Sequence, residues 1–249
     1  MEFNIFSAML IGPRAEQQDC LFDGTDIFQK DLLLRKFAKK TDRLLISVCD
    51  GMGGHEAGER ASRFVCEQLR RRHQAETLTA GNIRDVFAEI QVLSFKHLSA
   101  NCGTTVAGIM IENSMVTAFN AGDSRVYKIT QDTIIPMSHD HSLVQELIDK
   151  DLMTGDRAFR HPLKNYIEFG IGPIFKNIQD ERQLFLSQEE LAGETCFLIC
   201  SDGMTDVLLD KEIHELLMPN PINNGSRLFN TVRNIGPNDN VSFVIVEIV

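Results

Sequence analysis

The stretch LLISVCDGMGG, residues 44–54, places an aspartate directly after a continuous apolar run. The run from Leu44 to Cys49 has the length and composition of a strand that is buried on both faces. Asp50 and the glycines that follow it are typical of a tight turn, so the sequence predicts a carboxylate at the edge of a sheet. Such a carboxylate disfavours folding unless a positive charge offsets it.

Three more aspartates take the same kind of position. They are Asp123 in VTAFNAGDSRVY (residues 116–127), Asp202 in CFLICSDGMTD (196–206) and Asp239 in PNDNVSFVIVEI (237–248). The first two follow an apolar run, and the third comes just before the last one. Four carboxylates brought together repel one another and raise one another's pKa. The simplest resolution is that they bind divalent metal ions.

Length and composition favour one large domain or two small ones, because 249 residues with 43% hydrophobic content provide ample core. No apolar stretch reaches the roughly 20 residues of a membrane helix. The N-terminus lacks the basic region of a signal peptide. The six cysteines form no CxxC pair and no zinc spacing. Buried, reduced thiols in a cytoplasmic protein are the expected arrangement.

The net charge of −10 argues against nucleic acid as a partner. The only basic tract is Arg70-Arg71-Arg72. It ends a predicted helix, where cations complement the helix dipole.

Hydrophobic periodicity predicts two helices early in the chain, followed by a dense run of strands. Helices are predicted at 55–72, 82–99, 142–150, 210–217 and 225–234, and strands at 3–11, 43–49, 104–111, 115–121, 124–129, 133–136, 181–186, 195–200 and 241–248. Glu112-Asn113-Ser114 predicts a tight hairpin, 26–41 an excursion between two strands, and 151–172 an irregular segment. This order is not alternating βαβ, so we expect an α+β fold with antiparallel sheets and segregated helices.

The aspartate set predicts a particular chemistry. Oxygen ligands without histidine or cysteine select hard cations. Two such ions can share a water and lower its pKa, and the natural substrate is then a phosphate ester. A phosphate also favours a guanidinium. Arg14 fits, because in RAEQQD it lies four residues before Gln18 and five before Asp19, and residues four apart share a side of an extended segment.

Eight ordered segments resemble one known family, the metal-dependent type 2C Ser/Thr protein phosphatases in their compact bacterial form. The segments are RAEQQD (14–19), DGMGGHEAGERAS (50–62), GTTVAG (103–108), NAGDSRVY (120–127), SHDHS (138–142), HPLKN (161–165), CSDGMTD (200–206) and NDNVSFVIV (238–246). Together they span nearly the whole chain in the family's order.

The resemblance implies a four-layer α-β-β-α sandwich, with two central antiparallel sheets flanked by helices. It implies a single catalytic domain over residues 1–249, with 151–172 in the position of the family's flap. It also implies two Mn²⁺ or Mg²⁺ ions at one end of the sandwich, with a third, weaker site in bacterial members.

Residue roles follow from the matched motifs. Asp50 would bridge both metals, the Gly51 carbonyl would hold one, and Asp202 and Asp239 the other. Asp123 with Asp202 would form the third site. Asp19 and Gln18 would act on the metal waters from outside the ligand shell, and Arg14 would bind the substrate phosphate.

Three departures from the family pattern concern affinity, proton transfer and substrate choice. Gln18 stands where many members have a metal-binding glutamate. Met52 stands where animal enzymes have a histidine that resembles a general acid, and methionine cannot donate a proton. The flap segment YIEFGIG (166–172) lacks an arginine that many bacterial flaps carry.

Structural alternatives remain for several of these residues. Single Asp-Gly or Asn-Asp turns could explain the aspartates, Asp123 could pair with Arg125 in a hairpin, and Arg14 could be a surface arginine. His139 and His141 are expected to order the loop beside the site, His161 to be structural in the flap, and His55 to lie exposed at a helix start. Cys66 and Arg72 match the C-x5-R count of cysteine-dependent phosphatases, but they share a predicted helix without a phosphate-binding glycine loop.

The expected function is hydrolysis of phosphoserine and phosphothreonine in proteins by a metal-activated water. Partners would be phosphorylated proteins and a Ser/Thr kinase, with neither nucleic acid nor membrane, and the protein would be a cytoplasmic monomer. One alternative is a pseudophosphatase that binds phosphoproteins without turnover. Another is a phosphatase of small metabolites. The sequence selects no particular substrate, kinase or pathway.

Overall fold

Two antiparallel sheets stack face to face in the computed structural model, which describes residues 1–53, 57–175, 184–191, 193 and 195–249. The first sheet has the strand order β4-β1-β13-β12-β9-β10. Its strands are β1 (Glu2–Leu10), β4 (Leu32–Lys40), β9 (Arg125–Ile129), β10 (Ile134–Pro136), β12 (Thr195–Cys200) and β13 (Val241–Ile248). The first and last strands are therefore neighbours, which brings the two ends of the chain together.

The second sheet has the order β11-β8-β7-β5-β2-β3, with β6 paired to the end of β5. Its strands are β2 (Asp19–Phe22), β3 (Ile27–Phe28), β5 (Arg43–Met52), β6 (Gly103–Thr104), β7 (Val106–Glu112), β8 (Met115–Ala121) and β11 (Phe185–Glu190). Asn113 and Ser114 both have positive φ, at 51° and 61°. That geometry suits a two-residue hairpin turn, so the tight hairpin predicted between β7 and β8 is confirmed.

Helices cover the outer face of each sheet. The helices of the described residues are α1 (Ala57–Gln74), α2 (Ile83–His97), α3 (Leu143–Asp149), α4 (Gly155–Phe159), α5 (Asp202–Thr205), α6 (Asp210–Leu217) and α7 (Pro221–Ile235). The pair α1 and α2 packs on the second sheet, while α5, α6 and α7 pack on the first. The predicted α+β sandwich of four layers is confirmed. No helix in the described parts of the chain is both long and apolar enough to cross a membrane.

Three apolar layers explain why the central strands are continuous hydrophobic runs. In β13, Val244 and Val246 face the other sheet, whereas Phe243 and Ile245 face the helices. The strand β5 alternates in the same way, with Ile46 inward toward the first sheet and outward residues under α1. Both faces of a strand are buried in this architecture, so the usual alternation of polar and apolar residues is lost.

Four predicted elements differ in the structure. Residues 26–41 are not an excursion, because they contain β3 and the nine-residue edge strand β4, whose half-buried alternation the mixed charge obscured. The strand expected at 181–186 is β11 at Phe185–Glu190, and 181–183 lie outside the described residues. The last helix begins at Pro221, where proline suits a first helical turn. The segment 151–172 contains the short helix α4.

Candidate metal centre

Strands from both sheets bring the predicted carboxylates to one edge of the sandwich. Asp19 begins β2 and lies directly opposite Asp50 on β5, and β5 continues through Asp50 to Met52 instead of ending before it. Asp202 follows β12 as the first residue of α5. Asp239 precedes β13, the strand next to β12. The four side chains are close enough to repel one another electrostatically.

The electrostatics of the cluster favour protonation when no cation is bound. Burial, followed by the charges of Asp19 and Asp202, raises the pKa of Asp50 well above its ordinary value. Burial is also the main cause that raises the pKa of Asp19 to about 7 and the pKa of Asp202 to about 6. Asp123 is 6% exposed, and burial together with the Asp202 charge raises its pKa. The fold thus gathers buried carboxylates, and the charges of Lys164 and Arg125, which act to lower the pKa of Asp202 and of Asp123, do not offset the effect of burial.

Unpartnered oxygens show that the donor set fits a cation. Asp19 Oδ1, Asp123 Oδ1 and Asp202 Oδ1 are buried and accept no hydrogen bond. A buried carboxylate oxygen without a donor is costly, and a divalent ion would satisfy it. No three acidic, histidine or cysteine side chains within the described ranges already form a closed ligand group. The oxygens are therefore gathered at one edge, but a bound ion would still have to draw them together.

Arg14 lies at the rim of this cluster. It belongs to the loop between β1 and β2, so the prediction that it lies on an extended segment with Gln18 is wrong. Its Nη2 donates to Asp239 Oδ2, and its Nε donates to the Asn238 carbonyl at 3.4 Å. The Arg14 side chain is 53% exposed, so the guanidinium reaches both a predicted ligand and solvent.

Close backbone packing explains the glycine after Asp50. A Cβ on Gly51 would lie 2.1 Å from the Gly58 carbonyl oxygen and 2.6 Å from that of Gln18. The Gly51 N–H donates to Gln18 O at 3.1 Å. Gln18 therefore borders the cluster directly before β2, and Met52 is the last residue of β5. The thioether of Met52 brings no transferable proton to this edge.

Arg125 does not pair with Asp123, so that alternative for the GDSR turn is wrong. Its guanidinium instead forms a two-pronged contact with Asp140, with N–O distances of 2.6 to 3.0 Å. Asp123 Oδ1 stays buried without a hydrogen-bond partner.

Three of the histidines contact residues in or near the loops beside the site. His139 Nε2 lies 2.8 Å from Asp149 Oδ2. His141 Nδ1 lies 3.2 Å from the Gly122 nitrogen, one residue before Asp123. His161 Nδ1 accepts from the Leu163 N–H at 3.2 Å. The fourth, His55, lies outside the described residues.

The C-x5-R pair is not a phosphate-binding loop. Cys66 and Arg72 both lie within α1. Cys66 is fully buried with its sulfur 3.5 Å from the Cys20 carbonyl, so a cysteine nucleophile at this position has no access to substrate.

Two threonines that the sequence analysis did not single out hold the backbone of Asp50. Thr104 Oγ1 donates to the Asp50 carbonyl at 2.8 Å, and Thr105 Oγ1 accepts from the Asp50 N–H at 3.0 Å. Their motif, GTTVAG, belonged to the resemblance, but nothing in the spacing assigned the two hydroxyls a partner.

The flap-like segment contacts the cluster through two consecutive residues. Lys164 Nζ lies 2.8 Å from Asp206 Oδ1. Asn165 Nδ2 donates to Asp206 Oδ2 at 2.9 Å and to Asp202 Oδ2 at 3.3 Å. Between this segment, α3 and the start of α6 lies a cavity of ≈ 720 Å³, with Asp123 and Asp202 in its wall. The carboxylate edge therefore opens into a space large enough for part of a ligand.

Comparison with known proteins finds a family and several solved structures that are similar to this chain. A family model for protein phosphatase 2C matches residues 12–147. The serine/threonine phosphatase stp of Listeria innocua is 28% identical over 224 residues, which cover 85% of this chain and 87% of that protein. The crystal structure of the Mycobacterium tuberculosis serine/threonine phosphatase PstP/Ppp superimposes with a TM-score of 0.77 at 25% identity, over 100% of this chain and 99% of that one. The catalytic domain of PstP in complex with two manganese ions shares the fold, with a TM-score of 0.74 at 24% identity and full coverage of both chains.

Two stacked antiparallel sheets between helical layers, with an acidic centre at one edge, define the class of α-β-β-α sandwich proteins. Within that class the match to the family model covers more than half of the chain. The chain belongs to the protein phosphatase 2C family.

Proposed function

We propose that this protein is a metal-dependent phosphatase that removes phosphate from serine and threonine residues of proteins. The observation that carries the proposal is the set of buried, unpartnered carboxylate oxygens at the shared edge of the two sheets. Family membership and the names of the relatives support the same activity.

Two Mn²⁺ or Mg²⁺ ions fit the donor set. Asp50 and the Gly51 carbonyl would hold one ion, and Asp50 with Asp202 and Asp239 would hold the other. Asp123 with Asp202 would form a third, weaker site. Bound ions would supply charge neutralisation for the phosphate and an activated water.

The remaining residues act on substrate and geometry. In the structure Arg14 neutralises the carboxylate of Asp239. A metal ion bound to Asp239 would neutralise that carboxylate instead, and the Arg14 guanidinium would then be available to bind the phosphate. Asp19 and Gln18 would orient the groups around the ions from β2 and its preceding loop. Met52 donates no proton, so the leaving alcohol must receive its proton from water or from another group. The cavity beside the flap-like segment is large enough to accept residues that flank the phosphorylated side chain.

Metal dependence provides the first test. Hydrolysis of p-nitrophenyl phosphate and of a phosphothreonine peptide should require Mn²⁺ or Mg²⁺ and stop in EDTA, while thiol alkylation with metals present leaves it unchanged. Full activity in a metal-stripped sample would contradict the mechanism. Metal binding without turnover would favour a pseudophosphatase that binds phosphoproteins. A higher kcat/KM on metabolites than on phosphopeptides would favour a phosphatase of small metabolites.

The chain is also proposed to act as one catalytic domain over residues 1–249. We expect a cytoplasmic monomer that removes the phosphate groups added by a Ser/Thr kinase. The pairing of β1 with β13 supports a single unit. The six unpaired cysteines suit a reducing compartment. Light scattering of the purified chain and cell fractionation test the last two points.

A further inference from the structure

The structure assigns Ser124, Ser201 and Asn240 a positioning role: they form a neutral clasp that fixes the carboxylate-bearing segments of the two sheets relative to one another. Each of the three adjoins a predicted metal ligand in sequence, as Asp123-Ser124, Ser201-Asp202 and Asp239-Asn240. Each also forms a hydrogen bond from the first sheet to the second. The inference rests on the proposed function for its metal and adds residues to which no role has been assigned.

Ser201 connects the ends of β12 and β2. Its hydroxyl donates to Asp19 Oδ2 at 2.8 Å and accepts from the Ser242 N–H at 3.0 Å. Both Ser201 and Asp19 are fully buried. The only other acceptor within hydrogen-bond distance of this hydroxyl among the described residues, the Ser242 carbonyl, is more distant at 3.4 Å, so the shorter contact directs the proton at Asp19, which lies opposite Asp50.

Ser124 connects the start of β9 to the Asp50 backbone. Its Oγ lies 2.6 Å from Thr105 Oγ1. The same threonine oxygen accepts from the Asp50 N–H at 3.0 Å. Ser124 and Thr105 are fully buried, so this chain of hydrogen bonds links the loop of Asp123 to the strand of Asp50 without solvent.

Asn240 connects the start of β13 to the loop before β2. Its Oδ1 accepts from the Gln18 N–H at 2.8 Å, and its Nδ2 donates to the carbonyls of Ile11 at 2.8 Å and Glu16 at 3.1 Å. Asn240 is 2% exposed. The contact fixes Asp239 relative to the strand that carries Asp19.

Strand periodicity shows that these are equivalent positions in the fold. Side chains two residues apart share a face of a strand. Ser201 follows Ile199, Ser124 precedes Val126, and both apolar residues belong to the core between the sheets. Asn240 lies four residues before Val244, which also belongs to this core, and it therefore shares the same face of the extended segment. The clasp therefore lies at the end of the inter-sheet core, where polar side chains replace the mostly apolar ones of the middle.

Neutral groups suit this position for an electrostatic reason. A lysine or arginine would hold the carboxylates together but would compete with the metal for them. The side chains of the clasp bond backbone groups and the Asp19 carboxylate without adding a positive charge. The backbone N–H of Asn240 also donates to Asp239 Oδ1 at 2.8 Å. Partners outside the ligand shell of this kind typically raise metal affinity by 10- to 100-fold.

The test is Mn²⁺ binding to the full chain by isothermal titration calorimetry. Ser124→Ala and Ser201→Ala each remove one hydroxyl and should weaken Mn²⁺ binding about 10-fold. Asn240→Ala should weaken it at least as much, and the two serine variants keep the test valid if that chain does not fold. Saturating Mn²⁺ should restore most of kcat, because no metal ligand is lost.

Ser7→Ala is the matched control. Ser7 lies on β1 of the first sheet, is fully buried, and its hydroxyl has no hydrogen-bond partner. Its Mn²⁺ affinity should stay within twofold of wild type. A lower melting temperature with unchanged Mn²⁺ affinity in Ser124→Ala and Ser201→Ala would overturn the clasp while leaving the proposed function intact. A wild-type chain that binds no Mn²⁺ would overturn both.

Discussion

The middle of the sandwich and its carboxylate edge are built from the same strands, yet they are held together by opposite means. Ile46 and Val48 of β5 are fully buried between the sheets. Asp50 is the next residue on the same face. The middle is stabilised by removing apolar surface from water, whereas the edge contains buried charge that repels itself.

This difference shows that burial alone does not distinguish structural from functional residues here. What changes along the inner face is the chemistry of the positions: mostly apolar in the middle, and hydroxyl, amide or carboxylate at the edge. The apolar layers make the sandwich stable enough to tolerate the edge. The polar edge would then give up stability for the capacity to bind ions, as functional sites commonly do.

Removal of one metal ligand at the carboxylate edge should have the largest effect on activity. Asp202→Asn should lower kcat at saturating Mn²⁺ by at least about 100-fold, because a neutral amide is a weaker ligand for the ions than a carboxylate. The melting temperature of the metal-free protein should rise, since one repelling carboxylate is removed. Steady-state kinetics and calorimetry of the same sample measure both effects.

Ile199→Ala is the control from the other region, since Ile199 lies on β12 three residues before Asp202 and is fully buried between the sheets. It should lower the free energy of unfolding by about 2–5 kcal/mol and leave kcat within twofold of wild type where the chain is folded. Near-normal kcat in Asp202→Asn would contradict the ligand assignment.

Arg14→Ala should have the next largest effect. A charge-assisted hydrogen bond of about 1.5–3 kcal/mol corresponds to a loss in kcat/KM of roughly 10- to 150-fold. Because Arg14 bonds Asp239 in the structure, its removal frees a ligand, so Mn²⁺ affinity should be unchanged or higher. Arg14→Lys should recover only part of the activity, since an ammonium lacks the two-pronged geometry.

Calorimetry separates two roles of Arg14. If the main defect of Arg14→Ala were weaker Mn²⁺ binding, Arg14 would act on the metal site and not on phosphate. A kcat/KM within twofold of wild type would also exclude phosphate binding. Peptide kinetics and Mn²⁺ titration together therefore decide its role.

The sequence predicted the fold and the carboxylates for a physical reason that the structure makes plain. Continuous apolar runs such as β12 identified strands buried on both faces, and the aspartates stood where those runs met polar turns. The resemblance supplied the layer order. Periodicity failed for β4, because an edge strand is only half buried and its lysines and arginines hide the alternation.

The partners of the polar residues could not be predicted from spacing. Ser201 and Asp19 are 182 residues apart in the chain, and Asn240 and Gln18 are 222 apart. Their contacts depend on how the two sheets stack, which no local pattern encodes. A signal was nevertheless present, because Ser201, Ser124 and Asn240 occupy inner-face positions where the strand pattern would otherwise place an apolar residue.

The pH dependence of metal-free stability should show the smallest effect, and its sign follows from proton linkage. The folded chain raises the pKa of Asp19 from 3.8 to about 7 and that of Asp202 from 3.8 to about 6. In the unfolded chain both ionise near their ordinary values. Between about pH 4 and pH 7 the unfolded state therefore binds fewer protons than the folded state, and the free energy of unfolding falls as pH rises.

The melting temperature of the EDTA-treated protein should accordingly be lower at pH 7.5 than at pH 5, and Mn²⁺ should reverse the loss at pH 7.5 by neutralising the same carboxylates. Asp202→Asn should flatten the slope, because one of the titrating groups is gone, whereas Ile199→Ala should lower the melting temperature at both pH values and keep the slope. A metal-free protein that becomes more stable between pH 5 and pH 7.5, with the same slope in Asp202→Asn, would show that the buried edge does not control this dependence. The apolar middle and the carboxylate edge would then differ in composition, but the titration of the edge would not change the stability of the protein.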